Sequence, residues 1–224
     1  MTDVHCHCGG GGGVRELVCG ERFLGVHPWA ADSLAEPERA LAGLRQALAA
    51  DARLGIGEIG LDRLRSRTVS DRMRGLFESQ LELAFEFDRP LVLHGAKCWG
   101  QVVAAVVRAA AAVPSHTRGI LFHGFSRSDG LLPDIAALGG FVSVGPAVLN
   151  AHAVNYRRMV AGLAPELLVL ETDRTEEGAG TCPSIPEIAA EVARLRGVSV
   201  DELEALTDAN AERFCSFSTP DDGR

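Results

Sequence analysis

Short runs of valine, isoleucine and leucine alternate along this chain with longer stretches of helical periodicity, and no other feature restricts its fold so sharply. Strands apolar on both faces belong in a parallel sheet covered by helices, and each return to the next parallel strand needs a crossover. Eight candidate strands are legible, around Thr2–His5, Val14–Cys19, Phe23–His27, Leu54–Glu58, Leu91–His94, Ile120–His123, Phe141–Val144 and Leu167–Glu171. Eight is the number that closes a (β/α)8 barrel. Helical spacing places Leu41, Leu44 and Leu48 on one face of Glu36–Ala50, and Met73, Leu76, Phe77, Leu81 and Ala84 on one face of Asp71–Phe87. Further helices are expected at Trp99–Ala112, Ser128–Leu138, Tyr156–Leu163, Ile185–Arg196 and Asp201–Phe214.

The first quarter departs from this plan. Between His7 and Val14 stand only Cys8 and Gly9 to Gly13, and three residues separate Cys19 from Phe23. Neither connection has room for a helix, so the sequence predicts an α/β fold, an irregular TIM-like barrel lacking the first one or two crossover helices. Strand two is then antiparallel or not a strand at all. The glycine run reads as a loop rather than a phosphate cradle, because no strand-to-helix turn follows it. One barrel over residues 1–214 and a polar tail over 215–224 account for the 224 residues, a length at which a single domain buries a sizeable core.

Where the runs end matters as much as their number. Asp3-Val4-His5-Cys6-His7 delivers two imidazoles on one face of a strand, with Cα atoms about 6.6 Å apart. Alone, that motif fits a catalytic cation, a structural zinc knot or no metal. Later runs close on Glu58, His94 and His123, and Asp173 follows Leu168-Val-Leu-Glu-Thr. Strand ends in a barrel converge on its mouth, so these residues should meet. Four imidazoles and two carboxylates exceed one tetrahedral ion and suit two divalent cations sharing a carboxylate. The expected arrangement puts His5, His7 and Asp173 on the first ion, His94 and His123 on the second, and Glu58 across both. Asp173 is the natural proton acceptor from an activated water, with Glu58 as the other catalytic carboxylate.

Composition narrows the partners. A formal net charge of -8 argues against a nucleic-acid coat working through bulk positive charge, whereas a metal-dependent nuclease is less constrained. The six cysteines form no C-x-x-C pair and no basic-then-apolar leader opens the chain, a pattern that suits the cytoplasm. No apolar stretch of about 18 residues suggests a membrane span.

The motifs together resemble the TatD family of metal-dependent hydrolases, within the amidohydrolase-like barrel superfamily. The pieces are Asp3-Val-His-Cys-His7, Gly25-Val-His-Pro28, Gly57-Glu-Ile-Gly-Leu-Asp62, His94, His123-Gly-Phe-Ser126, Glu171-Thr-Asp173 and Asn210-Ala-Glu-Arg-Phe214, in the family's order. The resemblance implies a divalent-metal-dependent deoxyribonuclease trimming DNA from its 3′ end. It puts His27 near the substrate or in the outer shell of the metals, where the plain alternative is a strand-end histidine buttressed by Pro28 and Trp29. Asp62 of the same motif set joins His27 on the substrate side.

Departures from the family pattern are specific. The stretch before Gly25 is cut from about two helices to a glycine loop and one short run, which removes part of the mouth wall. His94-Gly-Ala-Lys97 replaces the family's His-x-Arg, so Lys97 either takes over a phosphate contact or is solvated. Arg127 follows His123-Gly-Phe-Ser126 and either meets a phosphate or forms a surface ion pair. Arg63, Arg65 and Arg67 form a basic stretch past Glu58, near Arg72 and Arg74. With one tyrosine and two tryptophans, the chain is poor in stacking platforms for single strands. The reading favoured is a hydrolase acting on a phosphodiester, chiefly DNA, through two cations of zinc, manganese or magnesium. Hydrolysis of a carbon–nitrogen or ester bond is the rival chemistry, and a non-catalytic metal-binding scaffold is the rival class.

Overall fold

The computed structural model describes residues 1–10, 13–65, 67–113, 119–178 and 180–215. Its strands are β1 (Thr2–Cys6), β2 (Arg15–Val18), β3 (Phe23–Leu24), β4 (Gly55–Asp62), β5 (Leu91–Ala96), β6 (Ile120–Phe122), β7 (Phe141–Val144) and β8 (Leu168–Leu170). Seven α-helices among the described residues follow them: α1 (Pro37–Ala50), α2 (Asp71–Glu86), α3 (Trp99–Ala112), α4 (Leu132–Ala137), α5 (Val154–Gly162), α6 (Ile185–Arg196) and α7 (Val200–Phe214). The helix ends follow their caps. Ser70 accepts from Met73 N at the start of α2, capping boxes of Ser184 with Glu187 and Ser199 with Glu202 open α6 and α7, and Gly197 at φ 68° closes α6. The helix expected over Ser128–Leu138 is instead a 3-10 turn at Asp129–Leu131 leading into α4, with Pro133 in its first turn.

Strands β3 to β8 form one parallel sheet in sequence order, and β1 pairs with β2 in a separate two-stranded sheet. Among the described residues, hydrogen-bonded ladders therefore do not close the barrel. The seam is held another way: His7 N donates to Arg174 O at 2.8 Å and Asp173 N to His5 O at 3.1 Å, so the end of β1 is tied to the segment after β8.

Strand two corrects the expectation drawn from its short connections. It runs parallel to β1, with Thr2 opposite Arg15 and Asp3 opposite Glu16. The usual crossover length reflects the room a helix needs; a bare return along five residues requires only about 17 Å, which eight extended residues span. Between β2 and β3 the bridge of Cys19 to Phe23 is also parallel, so the chain continues in its direction and no return is needed. Gly11 and Gly12 of the glycine run lie outside the described residues, as does the expected polar tail apart from Cys215, which is buried.

A cluster of Val4, Leu17, Phe23, Val92, Leu121, Phe141 and Val169, with Phe214 of α7, fills the barrel's interior. The larger core packs the sheet's outer face against the helices. Period-two alternation then fixes the top of the barrel: two residues past Val92, Leu121 and Val169 come His94, His123 and Glu171. Apolar filler below sets polar groups above. Among the described residues, no helix is long and apolar enough to cross a membrane, and all six cysteines are free thiols.

Candidate metal centre

Glu58 sits at the centre of the site, 5% exposed, and it does not end its strand as expected. β4 continues to Asp62, and its register against β5 shifts between Ile56 and Ile59, so Glu58 falls at an irregularity that re-aims a side chain without ending the strand. Its Oε2 faces His5 Nε2 at 3.4 Å and His7 Nε2 at 3.6 Å. Asp173 Oδ1 completes that side, 3.7 Å from His5 Nε2 and 3.4 Å from His7 Nε2. Oε1 looks the other way, to His94 Nδ1 at 2.6 Å, His27 Nε2 at 3.5 Å and His123 Nε2 at 3.6 Å.

The distances on the Oε2 side carry information. They are long for hydrogen bonds, and His5 Nε2 is buried without a hydrogen-bond partner among the described residues. Two donors each about 2.1 Å from a tetrahedral ion stand about 3.4 Å apart, so this spacing matches the edge of a cation's coordination shell. A buried, unpartnered imidazole nitrogen is costly unless something is bound there. The donor set, imidazoles with carboxylates, fits a divalent transition metal.

Electrostatics agree with the packing. Burial alone would raise the Glu58 carboxyl, but His123, His27, His5 and His94 outweigh it and hold it well below the usual carboxylate range. At Asp173 burial is likewise outweighed, by His7 first and then His123 and His5. Burial lowers His5, which keeps its nitrogen lone pair available. For His123 burial pulls down, yet Glu171 and Glu58 push its pKa up to about 10.

Behind these groups stands a further layer: Glu171 and Asp3, given no role from the sequence, and Asp62, expected on the substrate side. Glu171 Oε2 lies 2.7 Å from His123 Nδ1, which leaves Nε2 aimed at Glu58, while Glu171 Oε1 accepts from Gly124 N at 3.0 Å. Carboxylate–imidazole pairs of this kind fix the tautomer and orientation of metal-binding histidines. Asp3 accepts from Thr172 N at 3.0 Å and Thr172 Oγ1 at 2.6 Å, locking β1 beside the loop that carries Asp173. Asp62 lies 2.9 Å from His94 Nε2 and accepts from Trp29 Nε1 at 2.7 Å. The signal available for Glu171 was its position two residues past Val169, on the same face.

Every residue singled out for the metals is thus gathered around Glu58, although the grouping differs from the expected one. Sets whose ligand atoms lie within 4.8 Å of one another are His5 with His7 and Glu58, His5 with His123 and Asp173, and His27 with Glu58 and His94. His123 therefore stands nearer the first group than its assignment beside His94 implied, and His27 reaches the centre itself. Lys97 and Arg127 are exposed at the rim and unpaired among the described residues. With Asp173 they adopt positive φ, 58°, 58° and 52°, each in a segment just past a strand of the site. Such backbone is uncommon outside glycine and concentrates where function dictates the conformation.

The TatD related DNase family matches residues 21–216, beginning past the shortened wall. An uncharacterized metal-dependent hydrolase of Haemophilus influenzae is 31% identical over 201 residues, covering 84% of this chain and 74% of the relative. The 3'-5' ssDNA/RNA exonuclease TatD of Klebsiella pneumoniae is 29% identical over 202 residues, covering 83% and 73%. The crystal structure of YjjV, a TatD homolog from Escherichia coli, matches with a TM-score of 0.72 at 28% identity, over 88% of this chain and 76% of that one. A match over most of the length, joined to the barrel and its histidine–carboxylate centre, places the chain in the TatD-related DNase family of metal-dependent hydrolases.

Proposed function

We propose that this enzyme hydrolyses phosphodiester bonds in DNA, trimming single strands from the 3′ end, with two divalent cations shared through Glu58. The observation that supports this reading most is the placement of Glu58, whose two oxygens face separate sets of imidazoles. His5, His7 and Asp173 would hold one cation with Oε2, and His94 the other with Oε1, joined by His27 and, from between the two groups, by His123. The chemistry supplied by such a pair is activation of a water and neutralisation of charge on a phosphoryl oxygen. Asp173, kept ionised by its imidazole neighbours and 48% exposed, takes the water's proton at its carboxylate. Glu58 holds the centre together, and Glu171 orients His123. Imidazole-rich surroundings favour zinc or manganese over magnesium. Lys97 and Arg127 at the rim contact the substrate's phosphates, and Asp62 positions groups on the substrate side.

A substrate panel tests this. Single-stranded DNA, a chromogenic phosphodiester and a set of amides are offered to protein loaded with zinc, manganese or magnesium. The expected result is metal-dependent cleavage of DNA, lost in Asp173→Asn with metal still bound. Turnover of amides alone contradicts the nuclease reading, and turnover of nothing by metal-loaded protein points to a scaffold.

A further inference from the structure

Trp29 stands out among the aromatic side chains. Of the two tryptophans, Trp99 is 5% exposed in the core, whereas Trp29 is 55% exposed at the mouth. It is nevertheless fixed: its Nε1 donates to Asp62 Oδ2 at 2.7 Å, and the same oxygen lies 2.9 Å from His94 Nε2. Asp62 Oδ1 also accepts from Leu64 N at 2.6 Å and Arg65 N at 2.7 Å, so one buried carboxylate joins the indole, the basic loop and the cage. The indole ring lies 4.7 Å from the His27 ring and 6.3 Å from the His94 ring, centroid to centroid.

An indole needed only to anchor Asp62 would offer its N–H and bury its apolar ring, which is the usual fate of tryptophan. Here the ring stays 55% exposed with the Arg65 guanidinium over one face, and it is held rigid within one nucleotide's reach of the candidate metal centre, its other face being the one a base would stack on. Arg65 places its guanidinium 4.8 Å from the ring centroid, and Leu64 beside it is 60% exposed. A rigid aromatic surface with an adjacent guanidinium is the combination that stacks an unpaired base while meeting the phosphate next to it.

We propose that Trp29 and Arg65 form a nucleobase-stacking subsite, which takes an unpaired base next to the phosphodiester being cleaved. The proposal rests on the nuclease reading above and adds to it a preference for single strands carrying bases over bare sugar-phosphate. Stacking is sequence-tolerant, since every base has a π-face, so the subsite selects unpaired nucleotides rather than a particular sequence.

The test compares the metal-loaded wild type, Trp29→Ala and Trp29→Phe on oligothymidylate and on an abasic oligomer with the same backbone and length. Trp29→Ala is expected to lose about tenfold more in kcat/KM on oligothymidylate than on the abasic oligomer, chiefly through KM, in line with the worth of one stacked base. Trp29→Phe, which keeps a ring but not the N–H, should preserve most of the preference for oligothymidylate. Equal losses on both substrates would assign Trp29 to support of Asp62 and overturn the subsite, as would no loss on either substrate in Trp29→Ala. A wild type that cleaves neither oligomer overturns the nuclease reading itself and the subsite with it.

Discussion

The two oxygens of Glu58 look onto surroundings of different character. On the Oε2 side, His5, His7 and Asp173 stand 3.4–3.7 Å from their partners, held apart as though around an ion. On the Oε1 side, His27 and His123 stand at similar distances, 3.5 and 3.6 Å, but His94 has closed onto the carboxylate at 2.6 Å, and its other nitrogen lies 2.9 Å from Asp62. The first set keeps the spacing a cation would need, because backbone bonds across the seam fix β1 against the Asp173 segment. The second must give up a hydrogen bond before His94 Nδ1 can ligate. On the proposed reading, Glu58 would then bridge two unlike sites, a tight one and a weaker one.

The most severe way to break this comparison is to remove the bridge. Glu58→Ala leaves five imidazoles facing one another, and activity on DNA should fall about 10⁴-fold or more with both cations lost, as measured by turnover and metal content. Asp173→Asn is expected to lower kcat about 10³-fold, the scale of a missing proton acceptor, while the bound metal remains. Glu171→Gln should cost about 10- to 100-fold in metal affinity or turnover, chiefly through His123, and lower the thermal transition of the metal-free protein near pH 7 as the buried charge pair is lost. Calorimetric titration sharpens the contrast between the two sides. His7→Ala should abolish the tighter of two binding events, and His94→Ala the weaker, so equal affinities in the wild type would remove the distinction.

The smallest effects concern pH. Because His123 is raised to about 10 without metal, its contribution to the stability of metal-free protein is complete below its ordinary pKa of 6.5 and is lost as pH rises towards 10. Metal uptake near pH 7 must displace that proton, so titration heats should depend on the buffer's ionisation enthalpy. Glu58 and Asp173, both held below their ordinary pKa values, contribute stability above the carboxylate range that is lost as pH falls through it. Denaturation followed from pH 6 to 10 checks the first sign, and from pH 5 downwards the second.

Much of this centre was legible in the chain. His94 and His123 follow Val92 and Leu121 at strand period, so any barrel that buries those aliphatics must raise the imidazoles at its mouth. Asp173 could be placed from the Leu168–Leu170 run in the same way. Glu58 is expected at a strand end, whereas β4 runs on past it, because the shift in register between Ile56 and Ile59 is a property of pairing and leaves no mark in composition. The supporting bonds were hidden for a related reason: Trp29 and Asp62, 33 positions apart, meet only through loop geometry, and Asp3 and Thr172 only across the seam. Strand two was misread because a rule about helical crossovers was applied to a glycine loop that carries no helix.

Whether Glu58 serves two cations at once is tested directly by a crystal structure grown with manganese or zinc, with anomalous maps. The expected result is one cation among His5, His7, Asp173 and Glu58 Oε2, and a second on Glu58 Oε1 with His94 and His123. Ions found only away from Glu58, or a centre in which neither His5 nor His7 touches a cation, would contradict it.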